Sequence, residues 1–268
     1  MTTPEIAITS ATNARVKAAV RLRDRRERET TGLTIVDGAR EIGRALDAGV
    51  EIIDAFISDG VARSAEAEDV VRRLRATSRS VASVSDAVIA KVAFGDRSDG
   101  IVAVVRVATP ALDDLVLPAD PLVVVAESVE KPGNLGAIVR SADGAGADAV
   151  IAADPLTDPF NPNAIRASLG TIFRLPLASA SSTATLDWLE ARAIVTIATR
   201  VDAPTLYSDV DLRGPIAIVV GSEAGGLTGA WTGSRVTPVR IPMLGGADSL
   251  NVSVATAVLL YEAVRQRT

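Results

Sequence analysis

The chain has 268 residues, a formal net charge of −5, and neither histidine nor cysteine. A Ser-His-Asp triad, a cysteine nucleophile, a histidine metal site and a four-cysteine zinc site are therefore excluded, and so is any disulfide. Chemistry is left to carboxylates, arginine, lysine, hydroxyls, side-chain amides, backbone groups or a cofactor. With 48% hydrophobic and only 3% aromatic residues, the cores must be built from Val, Ile, Leu and Ala.

No apolar run approaches the ~18 residues of a membrane span. Residues 15–29 are densely charged where a signal peptide would be apolar. The expectation is a soluble, cytoplasmic α/β protein. Of the 28 basic residues only Lys17, Lys91 and Lys131 are lysines. Arginine suits phosphate recognition through its fork geometry, and a GC-rich genome gives the same bias.

In chain order, residues 11–29 read as one helix. It carries Arg15, Lys17, Arg21, Arg23, Arg25, Arg26 and Arg28 against Asp24, Glu27 and Glu29. Such a locally basic helix is either a nucleic-acid contact or a solvated face. Short β-branched strands at 33–36, 52–58, 80–84 and 100–107 then alternate with Ala/Leu-rich helices at 38–48, 65–76 and 86–93. Together they make an α/β unit of ordinary domain size. Residues 108–120, with Pro110, Pro118 and three aspartates, read as a linker.

A second domain follows over 121–268. Near-continuous apolar strands at 122–126, 149–152, 194–199 and 216–220 suit a parallel sheet buried on both faces. Helices at 134–146, 164–169, 183–192 and 252–267 lie between or after them, which predicts a doubly wound α/β fold. Three Gly-rich polar segments sit at strand exits, where open α/β sheets bind ligands. Lys131 to Arg140 holds Gly133, Asn134, Gly136 and Arg140, with Asn134 placed to cap a helix and Arg140 further along it. Gly221 to Leu227 surrounds Glu223 with three glycines. Ile241 to Ser253 ends a strand at Pro242, crosses a Gly loop and opens a helix with Ser249, Asn251 and Ser253.

The order Asn-x-Gly-x-x-x-Arg, then Gly-Ser-Glu-x-Gly-Gly-Leu, then Ile-Pro-Met followed by Ser-Leu-Asn-Val-Ser resembles the three motifs of the SpoU/TrmH family. These are SPOUT-superfamily RNA ribose 2′-O-methyltransferases. The segment Asp158 to Gly170 resembles the stretch between the family's first two motifs. The opening Ile8-Thr-Ser-x-x-Asn-x-Arg-Val-Lys17 and the Val36-Asp-Gly-Ala-Arg40 segment fit its L30e-like substrate-binding extension. The resemblance covers nearly the whole chain and is strongest over 123–264.

The resemblance implies a C-terminal SPOUT domain with a deep trefoil knot within about 194–263. It implies S-adenosylmethionine as cofactor, held by Ala198, Thr199, Gly221, Ile241, Met243 and Leu250. Arg140 is assigned to the ribose 2′-hydroxyl, as an activating group or an electrostatic stabiliser, with Asn134, Ser249 and Asn251 orienting it and the ribose. Glu223 would fix its loop or pair with an arginine. RNA would be met by Arg15, Lys17, Arg21, Arg25, Arg40 and Arg166. Asn163 stands where many relatives carry a basic residue, so a phosphate contact is missing there, for which Arg166 and Ser168 could compensate.

The family is usually homodimeric, and the apolar C-terminal helix at 252–267 is interface or core. A complete N-terminal domain favours ribosomal over transfer RNA, including relatives that confer antibiotic resistance. No metal is implied. The missing cysteine excludes carbon methylation through a covalent cysteine adduct. A catalytically inactive RNA-binding protein is the alternative from another class, and the intact motif set argues against it. A dinucleotide-binding enzyme is a poorer fit, because Gly144-Ala-Gly146 falls at a helix end rather than at a strand-to-helix turn.

Overall fold

The structure is a computed structural model that describes residues 5–58, 64–94 and 99–268. The chain divides into two compact units. One comprises residues up to Ala108 together with Phe160–Arg174; the other comprises Thr109–Pro159 with Leu175–Thr268.

The first unit runs β1 (Glu5–Ile8), α1 (Ala14–Arg21), α2 (Arg25–Thr31), β2 (Leu33–Asp37), α3 (Ala39–Asp47), β3 (Ile52–Ser58), α4 (Ala65–Thr77), β4 (Val81–Val84), α5 (Asp86–Val92) and β5 (Ile101–Arg106). Its sheet has the order β1-β4-β3-β5-β2. β1 and β3 are parallel to β4, while β5 is antiparallel to both β3 and β2. Ile35, Phe56, Ala82, Val84 and Val102 pack against Val16 and Ala19 of α1 and Val88 and Val92 of α5. Each such buried Val, Ile or Phe side chain contributes ~1.5–3 kcal/mol.

The single basic helix expected over 11–29 is two helices. The Leu22 N–H bonds back to the Ala19 carbonyl at 3.1 Å, and the Asp24 carboxylate accepts from the Arg26 N–H at 2.7 Å. That acceptor starts a new helix, as an N-cap aspartate does. β1 was not anticipated either.

The second unit runs β6 (Leu122–Glu127), α6 (Pro132–Gly144), β7 (Ala149–Ala153), β8 (Leu177–Ala180), α8 (Ser182–Ala191), β9 (Val195–Thr199), β10 (Thr205–Leu206), β11 (Ile216–Val220), β12 (Val236–Arg240) and α9 (Val252–Arg267). The intervening α7 (Pro162–Ala167) belongs to the first unit, where it packs on β2 and the Thr34 hydroxyl donates to the Phe160 carbonyl at 2.8 Å.

The second sheet has the order β10-β12-β9-β11-β6-β7-β8, with every pairing parallel. On one face Val123, Val125, Ile151 and Val219 pack with Leu186 and Leu189 of α8 and with Trp231. α6 packs against β6 and β7, α9 against β11, and the two helices against each other. This is the doubly wound arrangement. Because all strands run the same way, the exits of β6, β9, β11 and β12 share one edge of the sheet.

Three local expectations change. Asn134 does not cap α6: Pro132 takes the first helical position and Asn134 lies inside the first turn, which frees its side chain. Residues 108–120 are more than a linker, since Leu115 is buried in this unit's core with Leu112 and Leu117 beside it. The strand expected to end at Pro242 is β12, which stops at Arg240 and carries Pro238. Proline is tolerated there because Pro238 pairs on one side with Ala198, while two-residue β10 reaches only Val239 and Arg240. No described helix is long and apolar enough to cross a membrane.

Candidate active site

A cleft of about 490 Å³ opens at the exits of β9 and β11 and along the loop after β12. Of the residues assigned to the cofactor, Thr199, Gly221, Ile241, Met243 and Leu250 line it. Ala198 does not; it is wholly buried in β9. Arg200, Asp202 and Asp248 also line the cleft and were missed. The polar run Thr199-Arg-Val-Asp202 directly after a buried strand was the available signal.

The Gly221 to Leu227 segment forms one wall. Its Gly226 N–H bonds the Ser222 carbonyl at 3.0 Å, and its Gly225 N–H bonds the Ser222 hydroxyl at 3.1 Å. A Cβ on Gly221 would stand 2.3 Å from the Gly226 carbonyl carbon. Only glycine lets the loop close so tightly. Gly226 itself has φ +63, the left-handed conformation glycine adopts freely.

Above this wall the three motifs are joined by side chains. The Asn251 Oδ1 accepts from the Ser253 N–H at 3.0 Å and from its hydroxyl at 2.6 Å, capping α9. The cap fixes the amide orientation and leaves Asn251 Nδ2 to donate to Asn134 Oδ1 at 3.3 Å. Asn134 Nδ2 in turn donates to Glu223 Oε1. Each amide accepts through Oδ1 and donates through Nδ2, so the chain has a single direction, from the α9 cap to the Glu223 carboxylate. Glu223 therefore pairs with Asn134 rather than with an arginine. Ser249 lies on the cleft wall nearby.

Arg140 stands about one and a half turns along α6 from Asn134. It is exposed and makes no hydrogen bond or ion pair among the described residues. The lining of the cleft carries the carboxylates Asp202, Glu223 and Asp248 against one cation, Arg200. Arg200 Nε donates to Asp202 at 3.1 Å, and this bond and the adjacent charge hold the Asp202 carboxyl below its ordinary range. The site thus favours a positively charged ligand.

In the first unit the expected RNA contacts divide. Arg15 is half-buried, paired with Asp54 through Nε at 2.9 Å and stacked over Phe56. Arg21 pairs with Glu27 and Arg25 with Glu29. Arg166 donates to the Phe94 carbonyl. Arg28 is buried and bonds the Leu22 and Arg23 carbonyls. Lys17, Arg26 and Arg40 are exposed and make no such bond. Asn163 is exposed as well, its N–H bonded to Asn161.

The SpoU rRNA Methylase family profile matches residues 121–261, and the MRM3-like substrate binding domain profile matches residues 13–103. The chain belongs to the SpoU rRNA methylase family. A 23S rRNA (uridine(2479)-2′-O)-methyltransferase of Streptomyces viridochromogenes is 32% identical, over 92% of this chain and 87% of that protein. The crystal structure of an RNA 2′-O ribose methyltransferase superposes with a TM-score of 0.86 at 42% identity, covering 97% of this chain and 99% of that one. The SpoU methyltransferase AviRb from S. viridochromogenes, crystallised with S-adenosylmethionine, superposes at 0.84 with 31% identity, covering 95% and 98%.

The cleft fits the cofactor of this SpoU family. Its volume falls in the ~300–1,000 Å³ range of small-molecule sites. Apolar Ile241, Met243 and Leu250 offer a wall to an adenine ring, Gly221 leaves backbone within reach, and the acidic lining suits a sulfonium.

Proposed function

We propose that the protein transfers a methyl group from S-adenosylmethionine to a ribose 2′-hydroxyl of 23S ribosomal RNA, with Arg140 handling the ribose. The observation that carries this reading is the hydrogen-bonded chain from Asn251 through Asn134 to Glu223, which joins the three motifs beside the acidic cleft. The matched substrate-binding domain and the 23S rRNA relative support the choice of RNA.

Bound in the cleft, the cofactor supplies an electrophilic methyl on sulfur. Thr199, Gly221, Ile241, Met243 and Leu250 hold it in place. Neither histidine nor a metal is needed for the acceptor. A guanidinium carries only N–H donors and no acceptor, so Arg140 does not take up the 2′-hydroxyl proton. It binds the phosphate beside the target and stabilises negative charge growing on the 2′-oxygen, so that the proton leaves late, to solvent. Asn134 and Asn251, locked by their mutual bond and the α9 cap, hold the ribose in line.

Lys17, Arg26 and Arg40 are among the exposed cations of the first unit available to RNA phosphates, and the paired arginines around them build the scaffold. The SpoU protein works as a cytoplasmic homodimer. On α9, Val254 and Tyr261 are 48% and 55% exposed while Leu259 and Leu260 are fully buried. The helix thus has one core face and one apolar face for a second copy. The order β10-β12-β9-β11, in which successive strands are not neighbours, supports the knotted path through 194–263.

The test is to map 2′-O-methylated sites in ribosomal RNA from cells with and without the gene, by primer extension at limiting nucleotide. A stop present only with the gene, and restored by purified protein with S-adenosylmethionine, is expected. Identical profiles would reject the reading.

A further inference from the structure

Among the described residues Glu127 is the one acidic side chain with no exposed surface. It ends β6, and the bonds that hold it come from neutral groups. Oε1 accepts from the Ser182 hydroxyl at 2.7 Å and the Thr228 hydroxyl at 2.6 Å, and Oε2 accepts from the Thr228 N–H at 2.8 Å. Burying such a group is costly unless each bond is made. A carboxylate is acceptor-only and meets all three donors. A glutamine amide would turn its own N–H toward one of them.

Two of the three bonds go to Thr228, which directly follows the Gly221 to Leu227 wall. The wall's other end is tied to the same place, since Val220 of β11 pairs with Ala126 of β6. Entry and exit of the loop are therefore fastened within one residue of each other on β6. Between them the loop is closed by its own bonds to Ser222 and by the tight Gly221–Gly226 approach. The loop is thereby braced as one unit that includes Glu223 and the cleft wall.

Glu127 also precedes the turn into α6. Ser128 takes a left-handed conformation, φ 50, and its N–H bonds the Ala153 carbonyl at 2.9 Å. Left-handed non-glycine residues concentrate at functional sites. The helix bearing Asn134 and Arg140 starts at Pro132.

We propose that Glu127 is a positioning residue for methyl transfer. By holding Thr228 it sets the Glu223 loop against Asn134 and fixes the wall on which the cofactor rests. This rests on the methyl-transfer reading of the cleft. Ser182, the third donor, lies on α8 outside the loop, so its bond stabilises the carboxylate without steering the wall.

The experiment compares Glu127→Gln, Thr228→Val, Thr228→Ser and Ser182→Ala in the full chain. The readouts are S-adenosylhomocysteine Kd by calorimetry, KM and kcat for S-adenosylmethionine, and thermal midpoint. Glu127→Gln and Thr228→Val should raise the Kd and KM about tenfold in folded protein, as loss of a bond to a charged group implies. Thr228→Ser, which keeps the hydroxyl, should restore both constants. Ser182→Ala should lower the thermal midpoint but leave the Kd within about twofold. If Glu127→Gln does not fold, the Thr228→Val and Thr228→Ser pair decides. Unchanged Kd in Thr228→Val, or an equal effect from Ser182→Ala, overturns the proposal while leaving methyl transfer intact. Absence of wild-type S-adenosylhomocysteine binding overturns the methyl-transfer reading and the proposal with it.

Discussion

Asn251 Nδ2 donates to Asn134 Oδ1 across 3.3 Å, joining the cap of the last helix to the first turn of α6 although the two residues lie 117 positions apart. The direction of that bond is set by the cap. Once Asn251 Oδ1 has taken the Ser253 N–H, only the amide nitrogen remains to reach Asn134.

This makes Asn251→Asp and Asn251→Ala informative together. Aspartate caps as well as asparagine but cannot donate to Asn134. Alanine loses both roles and should cost ~1 kcal/mol of stability. Asp should therefore keep the wild-type thermal midpoint and lose most methyl transfer, while Ala loses both. If Asn251→Asp retains full activity, the bond to Asn134 has no catalytic role.

Gly221→Ala places a methyl group against the Gly226 backbone, at 2.3 Å from its carbonyl carbon. Backbone cannot yield as a flexible side chain does, so the loop must open. Calorimetry should find S-adenosylmethionine binding lost, with circular dichroism unchanged. Binding at wild-type affinity would show that the loop has slack.

The first-unit cations should separate by their partners. Lys17→Glu with Arg40→Glu should weaken RNA binding and flatten its salt dependence, because free cations release counterions from phosphates. Arg15→Ala should instead lower thermal stability, since that guanidinium is committed to Asp54 and Phe56. Filter binding at several salt concentrations together with melting curves distinguishes the two. An RNA defect confined to Arg15→Ala would reverse the assignment.

Asp37, at the end of β2, has its carboxyl pushed up to about 6, chiefly by burial, with the charges of Asp99 and Glu41 adding and the Phe94 N–H and Arg166 opposing. Over the interval between the ordinary and the raised pKa the folded chain keeps a proton that the unfolded chain releases. Stability from this group is therefore present at low pH and is lost as pH rises to about 6, with no further change above. Asp37→Asn removes the titration. The melting temperature of the variant minus that of the wild type should climb between about pH 4 and 6 and level off beyond. A flat difference would place the carboxyl in its ordinary range.

Much of the site was legible because a parallel sheet brings every strand exit to one edge. Gly221, Ile241 and Leu250 could be grouped without coordinates for that reason. Geometry across distant segments was not legible. Asn134 looked like a helix cap because capping is the local use of asparagine. Its partner is Glu223, which only the folded sheet brings near. Glu127 gave no signal at the end of an apolar strand, since nothing local reveals three donors arriving from α8 and from the loop after β11. β12 was anticipated but placed two residues too long at its end, and β8 was hidden by its Ala-Ser composition. The grouping of Phe160–Arg174 with the first unit likewise depends on packing against β2. The break at Asp24 could have been read, because aspartate before a charged run is an N-cap signal.

The most direct test of the account is single-turnover methyl transfer to ribosomal RNA by Arg140→Ala, with S-adenosylmethionine binding measured on the same preparation. Arg140 is exposed and supports no other group, so the variant should fold and bind cofactor as the wild type does. Its rate should fall by about 10²–10³, the cost of removing one group that stabilises charge in the transition state. A rate near that of the wild type would contradict the account, because no other free cation stands on α6 beside the joined motifs.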